Sequence, residues 1–544
     1  MKQDFDSDIA LRTLIRLKGR AERLAPDQVV ESFSSVGPLQ DLLATEDHQV
    51  IFGRRGTGKT HALRFLYSTQ LDEGDCALFV DMRSLGSDGS MYSDPSLPVT
   101  DRTTRLLLDT LAFIQDGILD YLLSTPEVNL TLVDSKLEAF NNACAQVRVT
   151  GETTATYEDK SENTTSSSIN LAAKLKGLMP GGDASVNRSS GGMKTDSVKL
   201  QKTGVERLAV RFPNLSSALR DLCNAIPANR IWVILDEWSS LPQEVQPFLA
   251  DMLRRAFFTI PNITVKIGAI EHRTKFLLES GADNSIGLEP TADVRNNVRL
   301  DEFLLFDNDK DRSVAFFKEF LFKHVLSYCR EKGWAEPKDS NELYRAAFNQ
   351  KTSFEEFVKS CEGVPRDALH IVSSCAQMAY GKRIDIPIVR TAGHKYYQDD
   401  KSSQVDANPA LRDLLQFIVD KSIRQKKTNA FLLEAGSKDR NVDLLFDRRL
   451  IHLRQKNVSS RDRAGTRYYH YKIDYGCYVD LIATNLMPQE VAFDRENKLE
   501  DIVSMVEVPG EDDGRSYRRS ILEIQEFYES HPEHLAPEIS WRTE

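Results

Sequence analysis

Short, wholly apolar runs alternate with amphipathic stretches through the first half of the chain. In HQVIFG (residues 48–53) the run VIF reads as a buried, β-branched strand. THALRFLYSTQ follows with helical spacing and puts Ala62, Leu63, Phe65 and Leu66 on one buried side. CALFVDMRSL (76–85) reads as a second buried strand. In RIWVILDEWSSLP (230–242), Ile231 to Leu235 is unbroken by a polar residue. A central strand of a parallel sheet, covered on both faces, has that signature. ITVKIGAIEHRTKF (263–276) reads as a further strand ending in polar residues. Strand, loop, helix, strand, helix, acidic strand, helix, strand is the order of a three-layer α/β core.

The pattern changes twice. Between Val147 and Gly204 the chain is rich in Ser, Thr, Gly and Asn and poor in large apolar residues. Such a segment cannot bury a core of its own and reads as a loop or as an arm that orders on a partner. QVRVTGETTATY alternates like one arm of a β-hairpin, and SINLAAKLKGLM has the spacing of a short amphipathic helix. Near the C-terminus PALRDLLQFIVDKSIRQ reads as a helix, and SKDRNVDLLFDRRLIHLRQ as a second helix running into a strand. VSSRDRAGTRYYHYKID then reads as a hairpin with YYHYKID returning, which together is a winged helix-turn-helix pattern.

At 544 residues the chain exceeds one hydrophobic core, so two to four domains are expected. No run of eighteen apolar residues occurs, so no helix is expected to cross a bilayer. The mixed-charge N-terminus lacks the apolar region of a secretory signal. Seven scattered cysteines include no CxxC pair, which argues against a disulfide framework or a zinc site. A cytoplasmic protein is the simple expectation. The net charge of −11 hides an asymmetry. Arg412 to Gly476 holds 15 Lys/Arg against 8 Asp/Glu, whereas Cys477 to Glu544 holds 6 against 16. A basic module therefore precedes an acidic tail, in which an amphipathic helix is expected over Arg518–Tyr528.

The chemistry starts at GRRGTGKT. Gly53, Gly58, Lys59 and Thr60 fit the phosphate-loop spacing, between a strand and a helix. The segment Gly53, Arg54, Arg55, Gly56, Thr57, Gly58, Lys59, Thr60 and His61 is the expected nucleotide cradle. Backbone N–H groups and the helix N-terminus favour an anion. Lys59 reaches the β/γ-phosphates of ATP, and the Thr60 hydroxyl reaches Mg²⁺. Asp236, at the C-terminal end of the acidic strand, is the second Mg²⁺ ligand through water. Glu237 beside it is placed to deprotonate an attacking water, so hydrolysis is expected as well as binding.

GRRGTGKT together with the apolar strand ending in Asp-Glu resembles the AAA+ superfamily of ATPases. Within it the chain is most similar to the origin-recognition and replication-initiator type, including its bacterial relatives. The lead-in ESFSSVGPLQDLLATEDHQVIF and the G-x-x-R-x-A-L pattern in CEGVPRDALHIVSSCAQMAY (361–380) carry that likeness too. The resemblance implies that Arg366 senses the γ-phosphate from a helical lid; otherwise Arg366 is a helix-terminal arginine free to make a surface ion pair. A polar sensor is implied at Glu271 or His272, and a trans-acting arginine at Arg295, with Arg273 and Arg299 as other candidates. A winged-helix DNA module implies that Arg440, Arg448, Arg449, Arg454, Arg461, Arg463 and Arg467 face phosphates.

The expected division is a helical lead-in (1–35), an ATPase core (36–300) with an insert at 145–205, a lid (301–400), a winged helix (405–480) and an acidic tail (481–544). The leading reading is an ATP-driven switch or motor acting with double-stranded DNA in replication, a mobile element or anti-phage defence. It assembles as a homo-oligomer or with a partner protein through the insert, and no membrane is involved. A second reading is an ATP-controlled signalling scaffold whose winged helix and insert bind proteins. A small-molecule kinase is the third, and no acceptor-binding lid supports it.

Overall fold

The computed structural model describes residues 4–17, 19, 21–35, 37–85, 92–125, 130–144, 146–156, 199–279, 285–295, 297–303, 310–437, 439–459, 465–486, 502–503, 505–506 and 520–535. The main sheet is built from β1 (Gln49–Phe52) and β2 (Cys76–Asp81), then, past the hairpin of β3 (Gln146–Thr156) and β4 (Lys199–Ala209), from β5 (Ile231–Asp236) and β6 (Ile263–Ala269). A small antiparallel pair, β7 (Leu277–Glu279) and β8 (Ser285–Gly287), precedes the edge strand β9 (Val298–Arg299). The order is β2-β5-β6-β1-β9, with every pairing parallel. Successive side chains of a strand point to opposite faces, so an unbroken apolar strand feeds two cores. In β5, Trp232 and Ile234 pack with Ala62, Leu63 and Leu66 of the helix Lys59–Asp72. Ile231, Val233 and Leu235 pack on the other face against the helices Val99–Ser124, Phe212–Cys223 and Gln246–Met252. This is the three-layer α/β arrangement expected. Phe65 is only half buried, unlike the three neighbours grouped with it from sequence.

The hairpin expectation at QVRVTGETTATY is met. β3 pairs antiparallel with β4 from Gln146↔Ala209 to Thr156↔Lys199. The expected helix at SINLAAKLKGLM lies outside the described residues.

A helical domain follows, made of Lys310–Lys332, Ser340–Ala347, Lys351–Ser360, Pro365–Met378 and Ile386–Tyr396. Its core also takes Ala10, Leu11 and Leu14 from the helix Ser7–Ile15. The Asp6 side chain caps that helix by accepting from Ile9 N at 2.9 Å.

The C-terminal domain begins with the helix Pro409–Val419, capped by Asn408. β10 (Ala430–Glu434), the helix Arg440–Asp447, β11 (Ile451–Ser459) and β12 (Arg467–Ile473) follow, and the helix Tyr475–Leu486 closes the domain. The sheet order is β10-β12-β11, antiparallel. Ser520–Leu522 runs along the outer edge of β10, with Leu432 N donating to Ser520 O and Leu522 N to Leu432 O, both at 2.8 Å. Past this strap the tail helix spans Ile524–Ser530, shorter and later than Arg518–Tyr528, because Phe527 is the residue that reaches the core.

Candidate nucleotide site

The phosphate loop joins the C-terminal end of β1 to the helix Lys59–Asp72. Gly56 and Gly58 have φ of 92° and 94°, conformations that side-chain-bearing residues rarely adopt. Lys59 Nζ donates to the carbonyls of Gly53 at 2.5 Å and Arg54 at 3.1 Å. Burial lowers the Lys59 pKa, and the charges of Glu237, Asp301 and Asp236 oppose that shift. Thr57 Oγ1 donates to Arg54 O at 2.9 Å and closes the turn.

Asp236 is 1% exposed at the end of β5. Oδ1 accepts from Glu237 N at 2.9 Å, while Oδ2 is buried with no hydrogen-bond partner. Burial pushes this carboxyl above its usual range, and the Thr60 hydroxyl offsets that only in part. A buried, unsatisfied carboxylate oxygen beside a hydroxyl suits a hard divalent cation such as Mg²⁺. Gly268 of β6 makes room for it: a Cβ there would sit 2.8 Å from Asp236 Oδ1. Glu237 has φ 57° and ψ 36°, a left-handed backbone that breaks the strand and leaves the side chain half buried at the cavity.

Lys59, Thr60 and Glu237 line a cavity of about 350 Å³ together with Arg55, Gly56, Gly58 and His61. Arg366 lines it from the opposite side, at the start of the helix Pro365–Met378, and its N–H donates to Gly56 O at 3.2 Å. The helical domain therefore touches the phosphate loop directly. A small apolar recess next to the cavity is lined by Phe33, Leu39, Ala62, Phe320 and Pro365. His61 Nε2 lies 2.9 Å from Val29 O, and burial lowers its pKa, so the ring is neutral and fixed to the lead-in.

Arg83 is the residue that the sequence reading missed. It lines the cavity two residues past β2, and its guanidinium pairs with Asp81 at 2.7 Å and Glu22 at 3.7 Å. The Asp81 hydrogen bond raises its pKa above the usual arginine value. The available signal was position: ligands gather at the C-terminal ends of parallel strands.

Several expected residues lie elsewhere. Arg295 is exposed and donates through its backbone to His48 O at 3.1 Å; it does not line the cavity of its own chain, as a residue acting in trans on a second copy would not. Glu271, His272 and Arg273 face the C-terminal domain. Glu271 meets Lys456 and Arg299, His272 meets Asp443 at 3.1 Å, and Arg273 meets Asp447 at 2.6 Å. Ion pairing at that seam leaves none of the three lining the cavity, which for Glu271 and His272 departs from the sensor expectation, whereas Arg273 is a candidate for acting in trans and its own chain's cavity does not bear on that role. Arg54 belongs to the loop, yet its side chain turns away to β11.

Among the arginines expected to face DNA, Arg449 is 7% exposed and bound to Asp367, Asp400 and Tyr396. Arg454 is 9% exposed. Both are corrections, because a buried guanidinium cannot meet a phosphate without leaving its site. Arg448 is half buried and donates to Gln404 O. Arg440 and Arg467 are exposed, and Arg461 and Arg463 lie outside the described residues. No described helix is long and apolar enough to cross a membrane.

Residues 18–75, which hold the lead-in and the phosphate loop, match a family model described as ORC-CDC6-like. That match agrees with the resemblance to the origin-recognition type. No curated protein matches the chain. The solved structure of the Aeropyrum pernix Orc1 protein in complex with DNA is similar at 12% identity and a TM-score of 0.30, covering 91% of this chain and 96% of that one.

Proposed function

We propose that the chain is a Mg²⁺-dependent ATPase of the AAA+ type that couples its nucleotide state to DNA binding or to complex assembly. The observation that carries this reading is the single cavity bounded by Lys59, Thr60, Glu237 and Arg366, with Asp236 beneath it. Thr60 and Asp236 would hold Mg²⁺, which supplies charge neutralisation between phosphates. Lys59 and the loop N–H groups bind the phosphate chain. Glu237 takes a proton from the attacking water through its carboxylate. Arg366 from the lid and Arg83 from the strand end bring positive charge to the same space, where charge builds on the leaving side.

A winged-helix-like C-terminal domain would be the part that engages duplex DNA. One observation favours the scaffold alternative: the helix Arg440–Asp447 turns Asp443 and Asp447 toward the ATPase core, although Arg440 at its start stays exposed. Turnover of ATP, with and without duplex DNA, separates the two. Glu237→Gln should keep nucleotide binding and lose roughly 100-fold or more in turnover. Stimulation by DNA supports the DNA-coupled reading; equal turnover in both conditions moves the scaffold ahead; a Gln variant as active as wild type removes Glu237 from the chemistry.

A further inference from the structure

The phosphate loop is gripped from behind by the C-terminal domain. Arg54 is 3% exposed. Its Nη1 donates to Ile451 O at 3.2 Å, Nη2 lies 2.7 Å from His452 Nδ1, and its guanidinium sits 4.9 Å from the Phe446 ring centre. Arginine can only donate, so Nδ1 of His452 accepts and the ring proton sits on Nε2. Nε2 then donates to Asp474 Oδ1 at 3.1 Å. Asp474 also binds Lys401 at 2.6 Å, and Lys401 binds Asp367 at 3.1 Å. Asp367 follows Arg366, whose N–H holds Gly56 of the same loop. A closed ring therefore runs from the loop through the C-terminal domain and the lid back to the loop.

We propose that Arg54 is a positioning residue through which the docked C-terminal domain holds the phosphate loop in its anion-binding shape, so that nucleotide binding and C-terminal docking strengthen each other. The inference rests on the assignment of the cavity to ATP. Gly53 and Arg54 carry the two carbonyls that Lys59 Nζ bonds, so a loop that shifts at Arg54 also moves the lysine. Undocking breaks the bonds to Ile451 and His452 and leaves the guanidinium with Asp301 alone, at 3.0 Å. Coupling between two binding events is reciprocal, so a nucleotide that needs the ordered loop must tighten the seam by the same factor. The seam also covers the face of the helix Arg440–Asp447 that carries Asp443 and Asp447, so nucleotide would keep that face covered and nucleotide loss would free it.

The full chain tests this with fluorescently labelled ADP and hydrogen exchange. Arg54→Met keeps the apolar stem and removes the grip. Arg273→Glu opposes Asp447 across the seam and touches neither the loop nor the buried ring, so it serves if the first variant fails to fold. Both should weaken nucleotide binding about tenfold, a typical allosteric coupling. Adding nucleotide to wild type should slow exchange in β11 and in the helix Arg440–Asp447, and that slowing should vanish in both variants. Nucleotide affinity within twofold of wild type in Arg273→Glu, or exchange at the seam indifferent to nucleotide, overturns the proposal. Lys59→Ala separates the two levels. If wild type and Lys59→Ala bind labelled ADP equally, or neither binds, the cavity is not a nucleotide site and the coupling falls with it.

Discussion

Among the described residues burial lowers the pKa of six histidine rings, and at four of them the shift is large. His48 sits at about 4, and His324, His452 and His470 at about 3, against 6.5 for a free ring. Between those values the unfolded chain binds protons that the folded chain does not. The stability they contribute is fully present above about 6.5 and is lost as pH falls toward the folded values, by about 1.36 kcal/mol per unit for each ring. Asp367 and Asp474, both held low against burial by Lys401, act in the same direction at lower pH, while Asp236, held high by burial, opposes them. The thermal midpoint should therefore fall steadily from pH 7 to pH 4.5, with proton uptake on unfolding; a flat profile would show that the rings are not held neutral. At this scale the motif residues Lys59, Thr60, Asp236 and Glu237 were legible because each motif sits within a few positions of chain. Arg54 and Arg449 were not, because their partners lie 397 and 82 positions away. An arginine in a basic stretch looks alike whether it meets a phosphate or a buried carboxylate.

β5 announced itself because burial on both faces left Ile231 to Leu235 wholly apolar; β6 was readable through its β-branched residues although it buries Thr264 and Lys266, the latter donating to Thr45 O and Gln49 Oε1 at 2.6 Å. β10 was harder: KTNAFLLEAG is short, and its pairing with β12 depends on residues some forty positions on. The strap Ser520–Leu522 was missed because those residues fall within the helix expected over Arg518–Tyr528, and their partner Leu432 lies far earlier in the chain. Its anchor is Phe527, fully buried in the C-terminal core and stacked near His531. Phe527→Ala should cost about 3–5 kcal/mol of C-terminal domain stability, as large buried truncations do. Hydrogen exchange in β10 would report it, and unchanged protection there would mean that the strap merely rests on the sheet edge.

Over the whole molecule, charge sorts differently from its linear order. Part of the basic module is spent on the seam with the core and lid, so exposed cations such as Arg440 and Arg467 remain for an external anion. If duplex DNA binds there, replacing both with Ala should reduce the slope of log affinity against log salt by about 0.9 for each lost phosphate contact. An unchanged slope would place the DNA contact elsewhere. The α/β core could be read from the sequence at this scale; the docking of the C-terminal domain behind the phosphate loop could not, since it joins surfaces from opposite ends of the chain. One joint of this kind bears on how the protein is made. The helix Ser7–Ile15 completes a core whose other helices begin at Lys310. At about 5–20 residues per second, a ribosome delivers that partner only after roughly tens of seconds. For that interval the apolar stripe of Ala10, Leu11 and Leu14 waits without its cover, so this helix of the nascent chain is a natural client for a holding chaperone.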